Sequence, residues 1–136
     1  MSIPVELDAL EAKCGEYTWA YLLTVRPDAT PHLVSLSPQW ADGAVMLSVS
    51  PGTARNAATG KTVTLCYPPL DHDGYSLIID GTVAPTADDG AVPEGKQLVR
   101  FMPSGAVLHR SATPGFENSA TGCANDCVPV DAPSAN

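Results

Sequence analysis

Apolar and polar positions alternate through most of the chain, and clusters of Pro, Gly, Asp and Ser interrupt the alternation. A period of two with turn residues between the runs predicts short antiparallel strands. Tyr17–Val25 is the first, rich in aromatic and β-branched residues, and Arg26-Pro27-Asp28-Ala29-Thr30-Pro31 turns the chain after it. His32–Trp40 sets Leu33, Ser35 and Ser37 against Val34, Leu36 and Pro38, and Ala41-Asp42-Gly43 then signals a hairpin into Ala44–Val49. Lys61–Tyr67 and Tyr75–Val83 read as two more strands. Gln97–Arg110 holds apolar runs at 98–102 and 106–108, and Pro103-Ser104-Gly105 between them predicts a bend or bulge.

Two segments break the period. Val5–Lys13 carries Val5, Leu7, Ala9, Leu10 and Ala12 among acidic residues, with Lys13 last, which predicts a short amphipathic helix across the barrel mouth. At Ser50-Pro51-Gly52 a capping hydroxyl precedes a proline at the first helical position, so a second helix runs on through 53–59 and Gly60 closes it. Ala84–Gly95 is rich in Asp, Gly, Pro and Ala and reads as a loop. From Ser111 onward large apolar groups are scarce, and a loosely held tail is expected. The pattern amounts to six strands and two short helices. It predicts a mainly β, α+β fold: an antiparallel barrel in a single domain over residues 1–110, with the tail at 111–136.

Composition narrows the function. The 136 residues suit one core, and a chain of this size gains from burying a sheet face against a second copy. The net charge of −8 argues against a nucleic-acid partner, whose phosphates reward a basic face. There is no basic n-region followed by an apolar run and no stretch of spanning length, so a cytoplasmic location and no membrane partner are expected. In a reducing compartment Cys14, Cys66, Cys123 and Cys127 stay thiols, with Cys66 read as core. Only seven Lys and Arg are present, so those that gather in one place are informative.

Candidate chemistry concentrates between Pro31 and Asn56. The helix starting near Ser50 offers free N–H groups to an anion, with Ser50, Thr53, Arg55 and Asn56 about its start and Arg55 able to clamp phosphate oxygens. The plainer alternative is a capped helix with Arg55 in solvent. His32 is either a donor to a ligand oxygen or an ordinary strand histidine. His72, between two Asp, reads as part of a polar loop more than as a metal ligand. Cys123 and Cys127, four apart, lack a second pair to complete a zinc site, and His109 adds only a remote haem or metal combination. Trp19 is expected in the core, and Trp40 in the core or beside a ligand ring.

The succession of strand, turn, Pro31-His32, Trp40, Asp42-Gly43, strand, Ser50-x-x-Thr53-x-Arg55-Asn56, helix and Val63-Thr64-Leu65 resembles the pyridoxamine 5'-phosphate oxidase-like split-barrel superfamily, over roughly residues 5–84. Within it the chain is most similar to the short branch of flavin and deazaflavin (coenzyme F420) oxidoreductases. The resemblance implies a homodimer with FMN or F420 in clefts between subunits and a small-molecule substrate. It assigns His32, Ser35, Leu36 and Ser37 to the cofactor ring, Ser50, Thr53, Arg55 and Asn56 to the phosphate and its chain, and Tyr75 to the partner's cleft. Thr53 stands where family members often carry Lys, and Ala84–Gly95 is a loop where longer relatives have a helix. The readings that follow are an oxidoreductase moving a hydride between cofactor and small substrate, a non-catalytic FMN, F420 or haem carrier of the same fold, and an interaction domain without cofactor. No catalytic acid or base and no metal site is assigned.

Overall fold

Strand alternation decides which face of each strand is buried, and the buried faces converge on one core. The computed structural model describes residues 3–41, 43–58, 60–86 and 92–111. Eight strands make one antiparallel sheet: β1 (Ile3–Pro4), β2 (Ala20–Val25), β3 (Pro31–Leu36), β4 (Gln39–Ala41), β5 (Ala44–Val49), β6 (Val63–Tyr67), β7 (Ser76–Pro85) and β8 (Gln97–His109). Their order is β3-β2-β6-β7-β8-β5-β4, with β1 also paired to β8. Two helices join them, α1 (Leu10–Cys14), preceded by a single 3-10 turn, and α2 (Pro51–Ala57). Inward side chains Leu22, Leu47, Leu65, Leu77, Ile79 and Phe101 are fully buried. Each contributes about 1.5–3 kcal/mol by leaving water.

The expected split barrel is present, with eight strands where the pattern predicts six. One added strand is β1, whose Ile3 and Pro4 pair with Leu108 and Val107 of β8. Val5 is drawn into the same extended run, its N–H donating to the Ala106 carbonyl at 2.8 Å. The first helix therefore starts later than Val5, and its buried residues Leu10 and Cys14 are one turn apart. The other added strand comes from His32–Trp40, which is divided at Ser37-Pro38. Pro38 has no N–H for a ladder, so pairing stops there.

That division closes the barrel. β3 and β4 lie at opposite ends of the sheet order, yet only Ser37 and Pro38 separate them in the chain. Leu36 and Gln39 can therefore be no more than about 11 Å apart. The sheet must curl until its two edges meet, joined by covalent chain where no ladder forms.

Gln97–His109, within the expected Gln97–Arg110 run, is one long strand, with a register shift opposite Asp80 and Gly81 at the predicted Pro103-Ser104-Gly105 site. Ala84 and Pro85, expected in a loop, continue β7 by pairing with Arg100 and Val99. Trp19 is not core: it is 38% exposed and packs its ring edge-on against Tyr21. Cys66 is half-buried on the outer face, because the inward position belongs to Leu65; burial nonetheless pushes its thiol pKa up. Trp40 packs on the core, where its Nε1 lies beside Cys14 and Tyr67 without completing a hydrogen bond. Burial raises the Cys14 and Tyr67 pKa values, which keeps both groups neutral. Cys123, Cys127 and all but Ser111 of the expected tail at 111–136 lie outside the described residues.

Candidate functional site

Two local structures face each other across a cleft of about 450 Å³, a volume within the range of small-ligand pockets. One wall is the turn between β2 and β3. Arg26 N–H donates to the Thr30 carbonyl at 2.9 Å and Ala29 N–H to the Arg26 carbonyl at 2.9 Å, leaving Pro27-Asp28-Ala29 as a three-residue loop. Ala29 takes the left-handed conformation that such loops require, with φ 69°. Asp28 fastens the loop by accepting from the Thr30 hydroxyl at 2.6 Å and the Thr30 N–H at 3.0 Å. Those two bonds, the hydroxyl's first, hold the Asp28 pKa below the usual carboxylate range.

The other wall is the start of α2, built as the sequence predicts. Ser50 is extended (φ −70°, ψ 156°), Pro51 opens the helix, and Ser50 Oγ accepts from Thr53 N–H at 3.2 Å. Ser50 Oγ in turn donates to Thr53 Oγ1 at 3.1 Å. This wall contributes Ser50, Gly52, Thr53, Arg55 and Asn56 to the cleft. The opposite wall adds Arg26 and Pro27, and His32 lies between.

His32 is linked to both walls. It shares the inward face of β3 with Val34 and Leu36 and pairs with Thr24 on β2. Its Nδ1 is 2.7 Å from Arg26 Nη2 and its Nε2 is 3.4 Å from Thr53 Oγ1. Thr24 is 1% exposed and its hydroxyl has no hydrogen-bond partner among the described residues.

The chain is 35% identical over 139 residues to uncharacterized protein Mb0449c of Mycobacterium bovis and to uncharacterized protein MT0457 of Mycobacterium tuberculosis; each alignment spans 95% of this chain and 96% of the relative. The chain belongs to their family. No family model matches it. Among solved structures, the FAD binding protein from Mycobacterium smegmatis aligns at TM-score 0.60 and 14% identity, covering 78% of this chain and 97% of that one. An F420 reductase aligns at 0.52 and 17%, over 65% and 88% of the two chains. The heme storage protein HutZ from Vibrio cholerae aligns at 0.57 and 13%, over 74% and 93%. The chain shares the pyridoxamine 5'-phosphate oxidase-like split-barrel fold with these structures.

Of the residues that the sequence singles out, the structure brings together His32, Ser50, Thr53, Arg55 and Asn56. Leu36 packs on the core, while Ser35 and Ser37 are exposed and stand outside the cleft. Tyr75 lies outside the cleft of its own chain, where its ring carries the Arg110 guanidinium at 4.4 Å and its carbonyl accepts from the Tyr17 hydroxyl at 2.9 Å. His72 lies 3.1 Å from Asp73 in a fully exposed pair. Arg26, Pro27 and Gly52 are the cleft residues that sequence reasoning did not assign to the site. Arg26 carried a signal in being one of only seven cations, placed six residues before His32.

No helix among the described residues is long and apolar enough to cross a membrane.

Proposed function

We propose that this chain binds a flavin or deazaflavin cofactor, FMN or F420, with the cofactor's phosphate in the cleft at the start of α2, and that it acts as an oxidoreductase on a small substrate. The observation carrying this reading is the donor set. In a chain of net charge −8, two of seven cations line one cleft, and Arg55 makes no hydrogen bond or ion pair among the described residues. A guanidinium held ready at the start of a helix suits a phosphate. Gly52 adds a cradle: a Cβ there would stand 3.7 Å from Arg55 Nη2 and 4.0 Å from Ser50 Oγ, in space the glycine leaves open. The fold is one in which an FAD binding protein and an F420 reductase also occur.

When bound, a flavin or deazaflavin ring supplies hydride transfer. The chain's own part is to bind and orient. Arg55 clamps the phosphate, Gly52 allows its close approach, and His32 offers ring nitrogen chemistry at the cleft wall. The Lys that the superfamily resemblance implies near position 53 is absent, and Thr53 is spent on the helix cap, with its hydroxyl bonded to Ser50. Arg26 lines the opposite wall, where its guanidinium is held on His32 Nδ1 at 2.7 Å.

A homodimer completes the reading. The outward face of β3, β2 and β6 exposes Leu33, Leu23 and Val25, with Trp19 packed edge-on against Tyr21 at one end. Such exposed apolar residues support pairing with a second copy. A second copy covering it would put two clefts in one assembly.

The carrier reading differs only in lacking turnover, and its haem version draws on the likeness to HutZ. His32 is a poor axial ligand, since its Nδ1 already faces the Arg26 guanidinium at 2.7 Å. Titration of the purified protein with FMN and with F420 tests the proposal, and Arg55→Ala should weaken the bound cofactor about 10- to 100-fold, the loss of a charged hydrogen-bond donor. An unchanged dissociation constant would remove Arg55 from the site. Reoxidation of the reduced complex by quinone or enone acceptors, no faster than free cofactor, would favour the carrier.

A further inference from the structure

Arg26 makes three contacts from its turn. Nη2 reaches His32 Nδ1 at 2.7 Å, and Nη1 reaches the Pro31 carbonyl at 2.9 Å and Thr30 Oγ1 at 3.4 Å. A guanidinium has donors, no acceptor, and keeps its charge. The direction of the Arg26–His32 bond is therefore settled by chemistry: Nδ1 must present its lone pair. A neutral imidazole has one proton, which then sits on Nε2.

Nε2 points to the opposite wall. Its neighbour, Thr53 Oγ1, already receives the Ser50 hydroxyl hydrogen at 3.1 Å, and the 3.4 Å contact with Nε2 is long for a hydrogen bond. The imidazole N–H is thus the weakly held donor of the cleft, directed at the helix that carries Arg55.

We propose that Arg26 is a positioning residue that locks His32 as its Nε2–H tautomer, so that His32 meets an oxyanion of the ligand as a neutral N–H donor and not as a base. The tautomer lock stands on the contacts above; the ligand half rests on the cofactor reading.

Nitrogen-15 spectra of the three histidines in the full-length protein test the lock, recorded at alkaline pH where imidazoles are neutral. His32, assigned by the loss of its signals in His32→Phe, should show a protonated Nε2 and a bare, hydrogen-bonded Nδ1. Arg26→Met keeps the aliphatic stem and removes the donor, and should shift His32 toward an averaged mixture of tautomers. A mixture already present in the wild type, or an Nδ1–H form, would overturn the lock without any variant.

The ligand half is read by titration with FMN and F420. Arg26→Met and His32→Phe should each weaken binding about tenfold, one hydrogen bond's contribution, and the double variant should be no weaker than His32→Phe alone. Losses that multiply would show Arg26 acting on the ligand by its own charge and would overturn its role through His32. If the wild type bound neither cofactor, the ligand half would fail together with the proposed function, while the spectra would still decide the tautomer.

Discussion

Gly52 is the residue at which fold and site can be separated by one substitution. It is the second residue of α2, its φ is not in the left-handed region, and a Cβ there meets only ordinary contacts. Gly52→Leu should leave the thermal midpoint unchanged or higher, since leucine favours helix over glycine. Cofactor affinity should fall at least tenfold, because the new side chain occupies the cradle in front of Arg55. Melting curves and titration of the same sample check both halves, and a loss of fold together with binding would contradict the assignment. Asp28 offers a test of the facing wall. Its folded pKa lies below the unfolded value, so its contribution to the turn is complete above the unfolded value and disappears as pH falls through the folded one. The Asp28 carboxyl should titrate by carbon-13 NMR below the ordinary range, with the Thr30 amide moving in step; a midpoint at or above that range would mean the loop is not fastened this way. Some of this scale was readable in advance. The Ser50 cap and the proline after it name the start of α2 without any tertiary information. Arg26 was conspicuous only as one of few cations, because turn propensity explains its neighbours Pro27 and Asp28 and nothing local says where its side chain reaches.

At the scale of elements, the turn and bulge chemistry was legible and the pairings were not. Pro103-Ser104-Gly105 announces an irregular strand, yet its partner is Gly81, some twenty residues earlier, and only the fold brings them together. A Cβ on Gly81 would collide with the Met102 carbonyl oxygen and stand 2.7 Å from Phe101 Cζ. Neither is free to move, one being backbone in the β7–β8 ladder and the other a core ring. Gly81→Ala should therefore destabilise the protein by about 2–3 kcal/mol or more, through overpacking, in chemical denaturation. An effect under 0.5 kcal/mol would show that the bulge yields easily. The division of His32–Trp40 was missed for a related reason. Alternation continues through Ser37-Pro38, and only the missing N–H of Pro38 indicates that the ladder ends. That break lets β3 hold His32 beside β2 while β4 leaves for the far edge.

At the scale of the whole molecule, the curled sheet brings a turn after the second strand against a helix after the fifth, and the cleft results from that closure. The outer face remains. Leu33 is 56% exposed and Leu23, opposite it, 38%, which is costly for a monomer and useful to a dimer. Leu33→Asp should shift the assembly from dimer to monomer in sedimentation velocity and should leave the fold intact, because the position is on the surface. A monomeric wild type would remove the dimer from the account. The alternation identified strands but not which outer face stays apolar, since Trp19 reads as a core residue until its exposure in the fold places it outside. The central claim, that the cleft between the β2–β3 turn and α2 receives the phosphate of a flavin or deazaflavin, is tested most directly by mapping amide shifts during titration with FMN and with F420. The account predicts that at least one of them moves the amides of residues 52–56 and the signals of Arg55 and His32 first and furthest. Perturbations centred elsewhere on the barrel, or none at saturating concentrations of both cofactors, would contradict it.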